Sequence, residues 1–385
     1  MSVLARALLL LCALQLAACA GVSPKRKLEA QALAEATRSS EVTCAAAPCA
    51  PPSRLLQMGA DAMAASTPEA PRHSVVMLDA GLDSLLARVH LIDSAQGSID
   101  LQTFHFEQDD SGRLVLDALM DAARRGVRVR LLMDQLSGLD EARIWAHLAG
   151  FHRNFELRMY NPVWRQAEVG PLEFTAGVMF RFGELNRRMH NKVMVVDGTV
   201  GIIGGRNIQD EYFDWHPTYD YRDRDLLVAG PAAVAMTENF DAFWNDPRTF
   251  GPYDLSDVVA LLIKQGGSPK ELGMPARTER VEAMARIAAE ADAVYARLAP
   301  YRTDVGRVDF IGDLPSKHDA AAARHGQASQ QMLDIVAATR SELLLQTPYL
   351  VMSKQAQAMF REMRQRQPPP QVVVDRKSTR LNSSH

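Results

Sequence analysis

The sequence predicts a duplicated α/β protein, in which one complete α/β/α sandwich is followed by the truncated start of a second. Residues 98–106 alternate as a strand, residues 114–125 repeat apolar side chains at helical spacing up to Gly126, and residues 127–134 form another strand. A strand–helix–strand crossover of this kind is typical of a mainly parallel sheet covered by helices.

The same order of elements returns near the other end of the chain. Leu345-Gln346-Thr347 repeats Leu101-Gln102-Thr103, and a helical stretch (356–366) and a strand (371–374) follow. Chance can produce one shared tripeptide, but the shared order behind it favours an internal duplication.

A chain of 385 residues exceeds what one hydrophobic core usually organises, so more than one domain is expected. With 47% hydrophobic residues, 23% charged residues and a net charge of -3, the composition is that of an ordinary globular protein and gives no sign of a polyanionic partner. The predicted segments are a signal peptide (1–19), an Ala/Pro/Ser-rich tether (20–73), a first domain (74–250), a helical connector (251–325), the start of a second domain (326–374) and a tail (375–385).

The N-terminus has the pattern of an export signal. Arg6 precedes an apolar run, 7–16, that is too short to span a bilayer, and Leu16-Ala17-Ala18-Cys19 resembles a bacterial lipobox. Lipidation of Cys19 would place the protein in the cell envelope, anchored to a membrane and facing the periplasm. A plain signal peptide and an uncleaved anchor remain alternatives.

Two further cysteines lie within the predicted tether. An oxidising compartment would let Cys44 and Cys49 form a small disulfide loop, although the sequence leaves their pairing open. Four residues separate them, which does not support a CxxC metal or redox centre.

The tail, 375–385, is polar and unrelated to the strand before it. It resembles the translation of a sequencing-adapter oligonucleotide, so we predict that it comes from library construction and that the natural protein is longer. The alternative is a natural disordered tail.

The densest chemistry lies between residues 190 and 207. Val193–Val196 favours a strand and Asp197-Gly198 a hairpin turn, so His190 and Lys192, two residues apart, should share one face. Asp197 lies at an odd offset from His190, which predicts a structural role for it.

The returning strand ends in residues that suit a phosphate. Gly204 and Gly205 lack side chains and permit close approach, and Asn207 offers an amide donor just beyond them. The neutral imidazole of His190 can attack phosphorus while Lys192 and Asn207 stabilise negative charge, a design that requires no metal or other cofactor.

A carboxylate that orients the histidine is expected downstream. Asp223 and Asp225 share a strand face, and either of them, bonded to the second imidazole nitrogen of His190, would fix its tautomer. A surface ion pair with Arg222 or Arg224 explains these carboxylates equally well.

These residues resemble the phospholipase D superfamily motif His-x-Lys-x4-Asp-x6-Gly-Ser-x-Asn. The matching residues are His190, Lys192, Asp197, Gly204 and Asn207. Gly205 replaces the usual serine, so its hydroxyl contact to phosphate is absent and a backbone amide can substitute. The spacing of five fixed identities makes the motif specific.

Across residues 74–374 the chain looks most like bacterial cardiolipin synthases. The further matching features are Tyr212-Phe213, the Arg222 to Asp225 stretch, and Phe240-x-x-Phe-Trp244-Asn245. The resemblance implies a phospholipase D-type α/β/α sandwich, with one histidine forming a phosphohistidine and a second protonating the leaving alcohol. Phosphatidylglycerol or water would then accept the phosphatidyl group.

The resemblance also implies partners and alternatives. We expect a phosphatidylglycerol-like phospholipid substrate, a membrane surface and no nucleic acid. The second histidine belongs near position 430, beyond this chain, so we predict that the 385 residues alone are inactive or nearly so. A hydrolytic phospholipase D, a nuclease of the superfamily and a catalytically dead lipid-binding protein remain alternatives; the near-neutral charge and the duplication disfavour the nuclease.

Overall fold

The computed structural model describes residues 21–44, 49–136, 138–318, 327–346, 352–375 and 380–381. The predicted signal peptide and Cys19 lie outside the described residues. The helices are α1 (Pro24–Glu35), α2 (Arg54–Ala64), α3 (Gly81–Ser94), α4 (Asp110–Arg125), α5 (Ala142–Ala149), α6 (Pro171–Phe180), α7 (Phe182–Leu185), α8 (Ala232–Trp244), α9 (Ser256–Gln265), α10 (Glu279–Ala289), α11 (Ala291–Leu298), α12 (Gln327–Ala338) and α13 (Lys354–Met363).

The strands are β1 (His73–Leu78), β2 (Ser98–Thr103), β3 (Arg128–Asp134), β4 (Phe155–Tyr160), β5 (Val193–Val196), β6 (Val200–Gly204), β7 (Tyr219–Asp220), β8 (Asp225–Ala229), β9 (Thr249–Phe250), β10 (Arg302–Val305), β11 (Glu342–Gln346), β12 (Gln371–Asp375) and β13 (Arg380–Leu381). Single turns of 3-10 helix occupy Asp210–Tyr212, Pro252–Asp254, Ala299–Tyr301 and Pro315–His318.

Nine strands form one large central sheet in the order β10-β1-β8-β6-β5-β2-β3-β4-β9. The predicted crossover is confirmed: β2 and β3 are parallel, α4 connects them, and Gly126 ends that helix at a φ of 105°. The expectation of a mainly parallel sheet is wrong, because β2–β3 and β3–β4 are the only parallel pairs among the described strands of this sheet. The β5–β6 hairpin and the return of β8 beside it make the other half antiparallel.

Helices cover both faces of this sheet. Along β5, Met194 and Val196 pack into the main core with α3 and α4, whereas Val193 and Val195 point to the opposite face and pack with α8. This alternation gives three layers, a mixed α/β fold with a large central sheet.

The second crossover forms a separate two-stranded sheet. β11 and β12 are parallel, with Leu345 opposite Val374 as Leu101 is opposite Leu131 in the first crossover. Helix α13 lies between them in the chain. The strand–helix–strand order expected for this region is therefore confirmed.

The segment predicted as a tether instead contains two helices that pack on the domain. Ala30 and Ala34 of α1 are fully buried, and Leu55 and Met58 of α2 retain 1% and 7% exposure in the main core. The high alanine content hid the pattern, because alanine marks a packing face less clearly than leucine does. Elsewhere in this segment Cys44 and Cys49 form a disulfide, the pairing that the sequence left open.

Candidate active site

The motif lies where strand β5 begins, beside the end of β2. Because these strands are antiparallel, with Gln102 opposite Val193, residues just before β5 lie next to residues just after β2. The His190 ring is 5.0 Å from that of Phe104, and Lys192 Nζ is 5.4 Å from the same ring centroid. The histidine and lysine thus share one aromatic neighbour.

The environment of His190 favours its neutral form. Desolvation, followed by the positive charges of Lys192 and Lys317, lowers the pKa of His190 to about 4, and Asp313 acts in the opposite direction. His190 is nevertheless an exposed residue. At neutral pH it is therefore an uncharged imidazole that a substrate can reach, which is the form required of a nucleophile.

Lys192 is a cation held in a nearly buried position. Lys192 is 6% exposed, and its ammonium donates a hydrogen bond to the carbonyl oxygen of His190 at 2.9 Å. Burial lowers the pKa of Lys192 to about 8, although Asp223, Asp134 and Asp225 oppose the shift. It therefore remains mostly protonated at pH 7 and can stabilise an anion in a poorly solvated site.

Asp197 occupies the hairpin turn. Its φ is 51° and that of Gly198 is 64°, as a two-residue turn with two left-handed positions requires. The Asp197 carboxylate accepts hydrogen bonds from the backbone N–H groups of Gln96, Gly97 and Ser98 at 3.0, 2.7 and 2.9 Å. These contacts tie the hairpin to the start of β2 and support a structural role.

Gly204 and Gly205 are packed against two carboxylates. A Cβ at Gly204 would collide with Asp225 Oδ1 and lie 2.8 Å from Arg224 O, and a Cβ at Gly205 would collide with the carboxylate of Asp223. The groups whose close approach requires glycine at these two positions are therefore side chains of the protein itself, Asp225 and Asp223. Asp223 fills the space that the motif serine would need.

Asn207 is held beside the motif by two neighbours. It is 6% exposed, and its Oδ1 accepts the backbone N–H of His105 at 3.2 Å. Its side chain also contacts the Tyr212 hydroxyl. The amide is therefore fixed in orientation just beyond the end of β6.

The structure does not bring Asp225 to His190. Asp225 is 1% exposed and lies 2.9 Å from Arg88 Nη2, 2.5 Å from Ser84 Oγ and 3.4 Å from Arg206 Nη1. Because this buried cluster occupies the carboxylate, the expectation that Asp225 orients the imidazole is not supported.

Asp223 is not a partner of His190 either. Its Oδ1 accepts the backbone N–H of Arg224, and among the described residues the carboxylate whose charge acts on His190 is that of Asp313. Burial raises the pKa of Asp223.

Sequence reasoning missed Asp134, at the end of β3. This fully buried carboxylate accepts Arg188 Nη1 at 2.9 Å and the backbone N–H of Met189 at 2.9 Å. It thereby fixes the residues immediately before His190. A carboxylate directly after the apolar run Leu131-Leu132-Met133 was the available signal. No cluster of His, Cys, Asp or Glu suited to a metal ion occurs among the residues that the structure describes.

Comparison with known proteins gives one matching family and several relatives. Residues 89–244 match the family model described as "Cardiolipin synthase, PLD-like domain". The chain is 29% identical over 297 residues to cardiolipin synthase C of Escherichia coli K12, covering 74% of this chain and 59% of that protein. It is 39% identical over 183 residues to an uncharacterized protein of Helicobacter pylori J99, covering 47% and 36%.

A solved structure is also similar over most of the chain. Phosphatidylserine synthase of Haemophilus influenzae Rd KW20 gives a TM-score of 0.49 at 13% identity, covering 78% of this chain and 60% of that one. The chain spans between 36% and 59% of the length of the two relatives named above.

Proposed function

This chain carries a domain of the phospholipase D superfamily, of the cardiolipin synthase type, and we propose that the whole protein transfers or hydrolyses phosphatidyl groups through a phosphohistidine on His190. The observation that carries the proposal is that the neutral imidazole of the exposed residue His190 and the nearly buried ammonium of Lys192 both lie beside the ring of Phe104. The first supplies the nucleophile and the second supplies charge for the transition state.

The first chemical step forms a bond between an imidazole nitrogen of His190 and phosphorus and breaks the bond from phosphorus to the alcohol oxygen. Lys192 and Asn207 stabilise the charge on the non-bridging oxygens. The departing alcohol takes a proton from a general acid, the role proposed for a second histidine in the other half of the duplicated enzyme. With one motif, the 385 residues are expected to bind phosphate but to turn over little or no lipid.

The second step decides the product. Attack on the phosphohistidine by the hydroxyl of phosphatidylglycerol gives cardiolipin, whereas attack by water gives phosphatidic acid. The name of the E. coli relative favours the first acceptor. Hydrolysis is the alternative outcome of the same intermediate.

A phospholipid substrate requires contact with a membrane surface, which is also part of the proposal. In α6, Leu172, Met179 and Phe180 are 84%, 69% and 69% exposed, and Gly177 is its one buried residue. A helix with apolar side chains exposed on several sides suits the acyl region of a bilayer better than water. Lipidation at Cys19 would add an anchor. No helix in the described residues is both long and apolar enough to cross a bilayer.

The test uses the full-length natural protein with phosphatidylglycerol vesicles. The His190→Ala variant should lose lipid turnover by at least about a thousandfold, because no other group replaces the nucleophile. A His147→Gln variant, changed in helix α5, serves as the matched control and should retain turnover. The ratio of cardiolipin to phosphatidic acid separates transfer from hydrolysis. Unchanged turnover in His190→Ala would contradict the mechanism.

A further inference from the structure

The segment 312–318, within the predicted connector, is tied to the histidine motif. The carbonyl oxygen of Asp313 accepts hydrogen bonds from Asn191 Nδ2 at 3.0 Å and from Asn239 Nδ2 at 2.9 Å. Asn191 lies between the motif histidine and lysine, and it also donates to Asn239 Oδ1 at 2.8 Å. Three polar groups from distant parts of the chain thus meet beside the motif.

Two further contacts hold the same segment in place. Arg248 Nη2 donates to the carbonyl oxygen of Pro315 at 3.0 Å, and Pro315 is buried. At Gly312 a Cβ would lie only 3.0 Å from Asn239 Nδ2. The residues that lead into the 3-10 turn Pro315–His318 are therefore held in place beside the motif.

This turn presents a second lysine to the site. Lys317 Nζ lies 2.6 Å from Asp313 Oδ2, and its side chain is only 19% exposed. Its positive charge helps to lower the pKa of both His190 and Lys192, after the larger effect of burial. Asp313, which contacts this ammonium, is also bonded through its carbonyl oxygen to Asn191, the residue between His190 and Lys192, so Lys317 lies close to the motif.

Lys192 and Lys317 are two like charges that act on each other, and Asp313 is the carboxylate that contacts Lys317. Their mutual repulsion is reduced when an anion binds to both ammonium groups. A phosphodiester has two non-bridging oxygens, enough for one ammonium on each side.

We propose that Lys317 is a second phosphate-binding residue of this site and contacts a non-bridging phosphate oxygen together with Lys192. Asp313 holds its ammonium in place and leaves N–H groups for the ligand, since a lysine ammonium has three. The proposal rests on the proposed function in taking a phosphodiester as the ligand. It gives the predicted connector a direct part in substrate binding.

The test measures binding of inorganic phosphate to the 385-residue chain by isothermal titration calorimetry. Lys317→Met keeps the length of the side chain and removes its charge, so it should weaken binding about tenfold. Lys317→Arg keeps the charge and should bind within about threefold of the unchanged protein. Lys264→Met, at an exposed position of helix α9, removes one lysine charge away from the site and is the matched control.

Binding by Lys317→Met within twofold of the unchanged protein would overturn the proposal. Equal weakening in the Met and Arg variants with a lowered Tm would also overturn it, because Lys317 would then only stabilise the turn. Phosphate binding is independent of lipid turnover, so the two proposals fail separately. If Lys317→Met loses phosphate binding but the full-length natural protein turns over no lipid, only the proposed function is contradicted.

Discussion

Lys192 carries its charge in a nearly buried position, and this makes the site sensitive to pH. Its ammonium has a pKa of about 8, below the 10.5 of an exposed lysine, because burial disfavours the charged form. The charge is therefore complete well below pH 8 and is lost as pH rises through about 8, within a range that enzymes experience.

Binding of a phosphodiester should weaken as pH rises from 7 to 9. Dihexanoylphosphatidylglycerol is a suitable ligand, because its single negative charge is constant over this range. We expect its Kd to rise by roughly tenfold, since one charge-assisted hydrogen bond is lost. Calorimetric titrations at intervals of half a pH unit measure the change.

The control for this pH effect is Lys192→Arg, whose guanidinium does not deprotonate in a protein. Its Kd should stay nearly constant between pH 7 and 9, even if it is weaker throughout. A Kd that rises equally in both proteins would assign the titration to another group.

At the scale of the element, the end of strand β6 carries two adjacent glycines, and the carboxylates that they face differ in how firmly they are held. The carboxylate next to Gly204 belongs to Asp225, which is locked by Arg88 and Ser84 in the buried cluster. The one next to Gly205 belongs to Asp223, which is half-buried. Only the second carboxylate has room to move away.

Gly204→Ala should therefore destabilise the protein by about 3 kcal/mol or more, because the new methyl group displaces a buried, paired carboxylate. Gly205→Ala should cost about 1 kcal/mol, since Asp223 can swing towards solvent. Urea unfolding followed by circular dichroism measures both. Equal losses in the two variants would show that Asp223 is as rigidly held as Asp225.

The hairpin was predictable from sequence because its determinants are local. The turn pair Asp197-Gly198 and the β-branched run before it define the strands without reference to the rest of the chain. The match to the motif then supplied His190 and Lys192 directly.

Other parts of the site depend on contacts that no local pattern reveals. Asn191 and Asp313 are 122 residues apart in sequence, and nothing near Asp313 indicates that its carbonyl oxygen is needed at the motif. The partners of Asp225 were not predictable for a related reason. Strand alternation showed that it shares a face with Asp223, but its partner Arg88 lies on helix α3, far upstream.

For the molecule as a whole, one hydrophobic core includes the predicted tether, first domain and connector. Ala34 and Leu55 from the first segment and Val281 and Leu298 from the connector join the same cluster of buried side chains. Boundaries drawn from composition therefore cross a single packed unit. Polar contacts follow the same pattern: Arg38 Nη2 donates to the carbonyl oxygen of Ala149 at 2.7 Å.

Deletion of residues 21–72 should consequently unfold the protein or lower its Tm severely, whereas removal of a tether would leave Tm unchanged. Fully burying a side chain such as Leu55 or Met58 contributes about 1.5–3 kcal/mol each, and total stabilities of domains are only about 5–15 kcal/mol. The deletion also removes the hydrogen bond of 2.8 Å between Ser53 Oγ and His90 Nε2, which leaves a buried imidazole nitrogen unsatisfied.

Thermal unfolding followed by circular dichroism compares the Tm of the deletion variant with that of the intact chain. Deletion of 376–385, the greater part of the tail predicted to be extraneous, removes a single two-residue strand pairing among the described residues, that of β13 with β7, so it is the matched control and should change Tm by no more than about 2 °C. A variant lacking 21–72 that melts at the same temperature as the intact chain would restore the interpretation of this segment as a tether and refute the packing described for α1 and α2.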